Sequence, residues 1–328
     1  MLNYGIIFTS ALVLSMLFTF LLARFSLKSK LLKTKDIPLV GGPGIGLAFI
    51  FALGLGIFIF NLPSLNKISA IALAALVMLF FGVVDDLKEL SVAHKFLIQS
   101  ICAIYLIGCG VRTQIMYLGF WGNAVITFFW LLGVTNAFNL LDILDGLTTG
   151  LVLIISSAFL LIGFLTADLG VQILSLILCA GSIGFLFFNL PPAKVYLGNS
   201  GSHFFGFLLA AIALITHYAS GKNVLALASP LMILGLPIMD TALLIIFRII
   251  KKKLPFNKSK DHVVFKIKAL GFSPAKILLI MYLLCFILSA CGVILTRASN
   301  LLGMGIIIAV CLFSIGVLPK LIKIEVDD

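Results

Sequence analysis

A chain of 328 residues that is 62% hydrophobic and 11% charged cannot clothe a water-soluble fold of its own size in polar groups. Its mean hydropathy is +1.25, and the apolar residues run in long blocks, so the surrounding solvent is lipid. The formal net charge of +11 would suit a nucleic-acid partner, but the basic residues cluster between apolar blocks, as they do in membrane proteins, and no nucleic-acid partner is expected.

In chain order, the apolar blocks predict spans at 4–23, 42–61, 69–84, 95–110, 121–135, 147–166, 170–188, 203–219, 225–249, 276–296 and 301–318. Backbone exposed to lipid must satisfy its own hydrogen bonds, and no alternating barrel pattern is present, so the expected fold class is all-α. This gives a polytopic membrane protein of about 10–11 transmembrane helices forming one domain over residues 1–328. Residues 5 to 23 are too long and too poor in flanking basic charge for a secretion signal, so they read as a first span. The six cysteines lie inside apolar stretches and read as small packing residues.

The first connection carries Arg24, Lys28, Lys30, Lys33 and Lys35, and the loop after the ninth span carries Lys251, Lys252, Lys253, Lys258, Lys260, Lys266 and Lys268. Loops on the other side hold Lys67, Arg112, Lys222 and Arg297, so 19 of the 23 basic residues lie on one side. By the positive-inside rule that side is cytoplasmic, with the N-terminus outside and the C-terminus inside an inner, cytoplasmic membrane. The same parity brings Asp85 and Asp86, Asn136 to Asp145, Asn189 to Ser202, and 251–271 to the cytoplasmic face.

Those segments hold nearly all of the unusual polar residues. GVVDDL ends an apolar run on Asp85 and Asp86, and NAFNLLDILDGL spaces Asn136, Asn139, Asp142 and Asp145 three apart, along one face if helical. Clustered carboxylate and carboxamide oxygens suit a hard cation such as Mg²⁺, with Mn²⁺ also acceptable, although Asp and Asn also cap helices at interfaces. Gly198, Asn199, Ser200 and Gly201 open a helix and are expected to present backbone N–H groups to an anion. Lys194 either touches phosphate or marks the inner face. His94, His203 and His217 read as satisfied helix-end or core residues, while Asp240, within the ninth span, requires a partner or a polar interior.

With PLVGG, GVVDDL, HKFLIQ, NAFNLLDILDGL, FNLPPAKVYLGNSGS, PIMDTALLIIFRIIKKK and KDHVVFKIKALGFS in this order, the chain resembles the polyprenyl-phosphate N-acetylhexosamine-1-phosphate transferases. The branch acting on undecaprenyl phosphate and UDP-GlcNAc fits better than the muramoyl-pentapeptide branch, whose triple-histidine motif is missing. The resemblance implies attack of a polyprenyl phosphate on a UDP-sugar, giving a polyprenyl-diphospho-sugar and UMP, the initiating step of a cell-envelope glycan. It implies that Asp85 orients or deprotonates the lipid phosphate beside Asp86. Asn139 and Asn199 match magnesium ligands, Asp142 and Asp145 the surroundings of the nucleotide diphosphate and uracil. Tyr196 matches a uracil-stacking aromatic, Lys95 and His262 phosphate-facing positions, and Asn136 with Lys194 the substrate-binding surroundings. A homodimer is one assembly left open.

Two departures stand out. Asn199 replaces the family's acidic metal ligand, bringing a carbonyl oxygen without charge, and Phe265 replaces a second histidine three residues after His262. They keep open a catalytically silent homologue that binds lipid phosphate or nucleotide sugar. A transporter is the other alternative, though its polar groups would lie near mid-membrane and not on one face.

Overall fold

The computed structural model describes residues 1–34, 36–61, 65–218, 224–250, 261–324 and 326. The basic positions Lys35, Lys222, Lys251, Lys252, Lys253, Lys258 and Lys260 lie outside the described residues. Among the described residues the chain is helical apart from one two-stranded antiparallel ribbon, and it falls into two compact units, Met1–His217 and Tyr218–Asp328.

The first unit runs α1 (Leu2–Ser29), the ribbon β1 (Lys33–Thr34) and β2 (Ile37–Pro38), α2 (Gly41–Phe60), α3 (Leu65–Leu87) and α4 (Val92–Gly108). It continues with α5 (Gly119–Leu141), α6 (Leu147–Leu165), α7 (Leu169–Asn189) and α8 (Gly198–Ile215). α8 lies against α2, α3, α5, α6 and α7, which is why a helix carrying Ser200, Ser202 and His203 is buried over most of its length. Short apolar side chains allow this crowding. At Gly82 of α3, a Cβ would lie 2.3 Å from the Cα of Ser200, so the two backbones meet directly.

Polar contacts fix the helices where hydrocarbon packing alone would not set register. Ser15 of α1 donates to the carbonyl of Gly181 in α7 at 2.8 Å, and the Trp130 indole of α5 donates to the Ala210 carbonyl of α8 at 3.1 Å. Gln99 of α4 and Asn136 of α5 exchange two side-chain amide bonds, at 2.7 and 3.2 Å.

The second unit contains α9 (Ser229–Ile233), α10 (Gly235–Ile250), α11 (Val263–Ala269), α12 (Pro274–Leu295) and α13 (Asn300–Ile322). The sequence predicts one continuous span over 225–249; the structure breaks it, with Val224–Ile233 and Gly235–Ile249 meeting at 72°. Pro237 explains the break, because it has no N–H for the carbonyl of Ile233 and its ring crowds that turn.

Among the described residues nine helices are long and apolar enough to cross a membrane, or ten if the bent pair is one span. α4 is apolar but one helical turn shorter than most of them, at 17 residues. The protein is therefore a polytopic, all-α, multi-pass membrane protein.

Candidate functional site

In the first unit the predicted residues converge at one end of α3, α5 and α8, together with the 142–146 and 190–197 loops. Asp85 and Asp86 close α3 and serve different neighbours. Asp85, 3% exposed, accepts the Leu90 amide at 2.8 Å through Oδ1 and the Lys95 ammonium at 2.6 Å through Oδ2. Lys95 stands in the first turn of α4, so this ion pair folds the α3–α4 connection back on itself. A cation and a backbone donor together satisfy a carboxylate that would be costly to bury alone.

Asp86 spans to α8. Its Oδ1 accepts the Asn199 amide at 2.8 Å and its Oδ2 the Ser200 amide at 3.1 Å. The carboxylate sits on the N-terminal end of the helix, where unpaired N–H groups and the helix dipole favour negative charge. The sequence expectation that Gly198 to Gly201 hold an external anion is corrected here: Asp86 already occupies the amides of Asn199 and Ser200. Gly198 permits the arrangement, with φ of +77° and a Cβ position that would fall 2.6 Å from Asp86 Oδ2.

Asn139 and Asn199 are brought together. The Asn139 Nδ2 donates to Asn199 Oδ1 and to Ser202 Oγ, both at 3.0 Å. Asn136, about one turn earlier in α5, is committed to Gln99 and to the Leu132 carbonyl at 2.8 Å, so its amide holds α4 to α5.

Asp142 follows α5 in the connection to α6, outside the spans. Burial, with Asp86 and Asp145 as like-charged neighbours, pushes its carboxyl up to about 7, against the pull of the nearby Thr148 side chain. An acidic cluster with so little local compensation fits a cation. Among the described residues no three His, Cys, Asp or Glu side chains form a metal shell of their own, so carboxamides and substrate oxygens would have to complete one. Asp145 accepts the Ala193 amide at 3.1 Å, tying its loop to the segment that carries Lys194 and Tyr196. Lys194 is exposed, and Tyr196 is half-buried with its backbone held between the Pro38 carbonyl and the Gly41 amide, at 2.8 and 3.0 Å. This explains how PLVGG, far away in sequence, shapes the loop.

Asn189 is a residue that motif reading passes over. Buried at the end of α7, it accepts the Gly146 amide and Thr149 hydroxyl at 3.1 and 3.0 Å, and donates to the Val195 carbonyl at 3.0 Å. Its signal was present: an amide closing a 21-residue apolar helix before Leu-Pro-Pro has few bland reasons to be there. The histidines divide. His94 pairs with Ser91 at 2.7 Å and His217 with Asp168 at 3.2 Å, both at helix ends. His203 departs from the expectation of a satisfied core residue: it is fully buried, and among the described residues neither ring nitrogen has a hydrogen-bond partner.

In the second unit, Asp240 of α10 is 1% exposed and His262, just before α11, is 4% exposed. The Asp240 Oδ2 lies 2.7 Å from His262 Nδ1, and its Oδ1 accepts the Val263 amide at 2.9 Å. Phe265 meets the His262 ring edge-on at 6.3 Å between centroids. Lys266 is buried under α13, donating to the carbonyls of Leu321 and Ile324 at 2.9 Å each.

Residues 68–217 match the model of the family described as glycosyl transferase family 4. A Bacillus subtilis (strain 168) protein, described as a probable undecaprenyl-phosphate N-acetylglucosaminyl 1-phosphate transferase, is 32% identical over 287 residues, 85% of this chain and 79% of its own. The undecaprenyl-phosphate alpha-N-acetylglucosaminyl 1-phosphate transferase of Thermotoga maritima is 29% identical over 76% of this chain and 77% of its own. A phospho-N-acetylmuramoyl-pentapeptide-transferase of Desulforamulus reducens is 32% identical over a smaller share, 60% of this chain and 59% of its own. Family motifs, helical architecture and two relatives matched over three quarters of their length agree, and the chain belongs to glycosyl transferase family 4, the polyprenyl-phosphate sugar-1-phosphate transferases.

Proposed function

We propose that this enzyme transfers GlcNAc-1-phosphate, or a related N-acetylhexosamine 1-phosphate, from its UDP-sugar to undecaprenyl phosphate at the cytoplasmic face of an inner membrane, beginning a cell-envelope glycan. An oxygen of the lipid phosphate forms a bond to the sugar-bearing phosphorus, and the bond to the UMP oxygen breaks, so the products are polyprenyl-diphospho-sugar and UMP. Phosphoryl transfer of this kind needs positioning and charge neutralisation more than covalent help. The observation that carries the reading is the convergence of the Asp85–Lys95 pair, the Asp86-capped Asn199 turn and Asn139 at one helix end.

Lys95 holds the lipid phosphate, and Asp85 fixes the ammonium in place, which fits an orienting carboxylate better than a free base because both of its oxygens have donors. Asp86 positions Asn199 through the helix N-terminus. Asn139 and Asn199 would hold Mg²⁺ through their carbonyl oxygens, and the bound ion would neutralise the diphosphate and the departing UMP. Asp142 and Asp145 border the nucleotide, Tyr196 stacks on uracil, Lys194 touches phosphate, and His262, in the second unit, keeps the phosphate-facing role that the resemblance gives it.

Purified protein in detergent, given undecaprenyl phosphate, UDP-GlcNAc and MgCl₂, is expected to release UMP only when lipid and magnesium are both present. Asp85→Asn keeps the acceptor for Leu90 but frees Lys95 from its counter-charge, and it should lower turnover at least 10²-fold with unchanged expression. Wild-type turnover in that variant would remove Asp85 from the machinery. Asn199 favours one second reading, a homologue that binds without turnover. In that case no UDP-sugar gives UMP, and Asn199→Asp, by restoring a charged ligand, brings activity back.

A further inference from the structure

The connection between α4 and α5 presents side chains that a loop in water would hide. From Met116 to Trp121 only Gly119 lacks a large apolar side chain, and Tyr117 and Trp121 are 89% and 78% exposed. Met116, Leu118 and Phe120 are exposed beside them. Surfaces that face water rarely gather so many large apolar groups in one place.

Helix lengths put this connection at a membrane boundary. α5 has 23 residues and rises about 34 Å, slightly more than a hydrocarbon core of about 30 Å. Its last turn carries Asn139, so with that end at the boundary beside the polar site, Gly119 reaches the opposite one. α4, with 17 residues, rises only about 26 Å and brings the chain toward the same boundary a little short. Backbone at that depth must find its partners inside the protein, and here it does. Buried Asn123 accepts the Ile115 amide at 2.8 Å and donates to the Ile115 and Gly119 carbonyls, at 3.0 and 2.6 Å. Buried Thr127 accepts the Thr113 amide at 2.9 Å, and the Thr113 hydroxyl donates to the Asn123 carbonyl at 3.0 Å. The single 3₁₀ turn of Met116–Leu118 is thus tied down by α5 while its own side chains stay exposed.

We propose that Met116 to Trp121 form an interfacial anchor, a knuckle of fixed shape whose side chains seat among the headgroups and upper acyl chains of the leaflet opposite the site. Three observations select lipid over a protein partner. Trp121 is followed at helical spacing by Val125 and Phe129, both exposed on the flank of a membrane-crossing helix, so the patch continues a lipid-facing stripe. Tyr117 and Trp121 combine an apolar ring with a polar edge, which suits the boundary between hydrocarbon and water. The Arg112 guanidinium, 4.9 Å from the Phe120 ring centroid, adds a cation where lipid phosphates lie.

The chain has two tryptophans, so the difference between wild-type and Trp121→Phe emission isolates Trp121 from Trp130. Trp121→Phe exchanges one exposed ring for another and leaves the Asn123 and Thr127 ties in place. Full-length protein would be reconstituted in phosphatidylcholine–phosphatidylglycerol vesicles, with bromine near either the headgroup end or the tail end of the acyl chains. Trp121 emission is expected to fall about twofold or more with shallow bromine, less with deep bromine, and little with iodide on both sides of the bilayer. Moving the reporter along the knuckle, by Tyr117→Trp combined with Trp121→Phe, should restore the shallow pattern. Strong iodide quenching without an effect of brominated lipid would overturn the proposal, because the loop would stand in water. Indifference to both quenchers would overturn it too, showing rings covered by protein, whether a second copy of the chain or another partner. Strongest quenching by deep bromine would remove the boundary placement.

Discussion

Successive residues of a helix point about 100° apart, so Asp85 and Asp86 meet different surroundings despite their shared motif. One is paired with an ammonium, the other caps a neighbouring helix. Two less conspicuous residues carry measurable consequences. Among the described residues neither ring nitrogen of the fully buried His203 has a partner, a cost of about 1–3 kcal/mol for such a group. His203→Leu, which has similar bulk, should therefore raise the unfolding temperature in detergent; an unchanged or lowered one would mean the ring has a partner in the folded protein. Asp142 offers the second test. Its folded carboxyl is pushed up to about 7 from an ordinary 3.8, so the folded state binds the extra proton between those values. Stability contributed by this group is present at low pH and is lost as pH rises toward 7. Without magnesium, Asp142→Asn should unfold at a higher temperature than the wild type at pH 8, with a smaller gap at pH 5 that closes only as pH falls through 3.8. A gap of the same size at both pH values would show that ionisation of Asp142 is not its source.

At the scale of elements, the α3–α8 contact is set by backbone meeting backbone. A methyl at Gly82 has no flexible side chain to push aside, only the Ser200 main chain. Gly82→Ala should cost about 1–3 kcal/mol of stability and displace the Asn199 turn, so turnover should fall more than the loss of folded protein explains. A variant with wild-type stability and turnover would show that this close approach is not needed. Sequence reading located the helices well, because long apolar runs leave a lipid-embedded backbone few alternatives. The ninth span reads as continuous from its hydropathy, and the break within it comes from Pro237, whose missing N–H governs a whole turn. The sequence reading took Asp86 as a catalytic neighbour of Asp85 and Asn136 as substrate-binding; side-chain direction across helix neighbours, which no spacing rule supplies, adds their partners within the protein.

For the whole molecule, the membrane class and the family were legible from composition and ordered motifs, and Asp85, Lys95, Asn139 and Asn199 were brought together as those motifs suggested. What motifs could not carry was support from residues outside them, such as Asn189, whose three bonds join two loops. Orientation can be tested directly. In a cysteine-free background, Arg112→Cys should react with a membrane-impermeant maleimide on intact cells, and Lys28→Cys should react only after the membrane is opened. The reverse pattern would invert the proposed topology. The reciprocal amide bond between Gln99 and Asn136 bears on how such a protein changes over generations. A leucine at either position strands the other amide in a lipid-facing bundle, whereas apolar residues at both leave nothing unpaired. The two positions are thus bound to a common fate, and a lineage that loses one amide is under pressure to restore it or to lose the other.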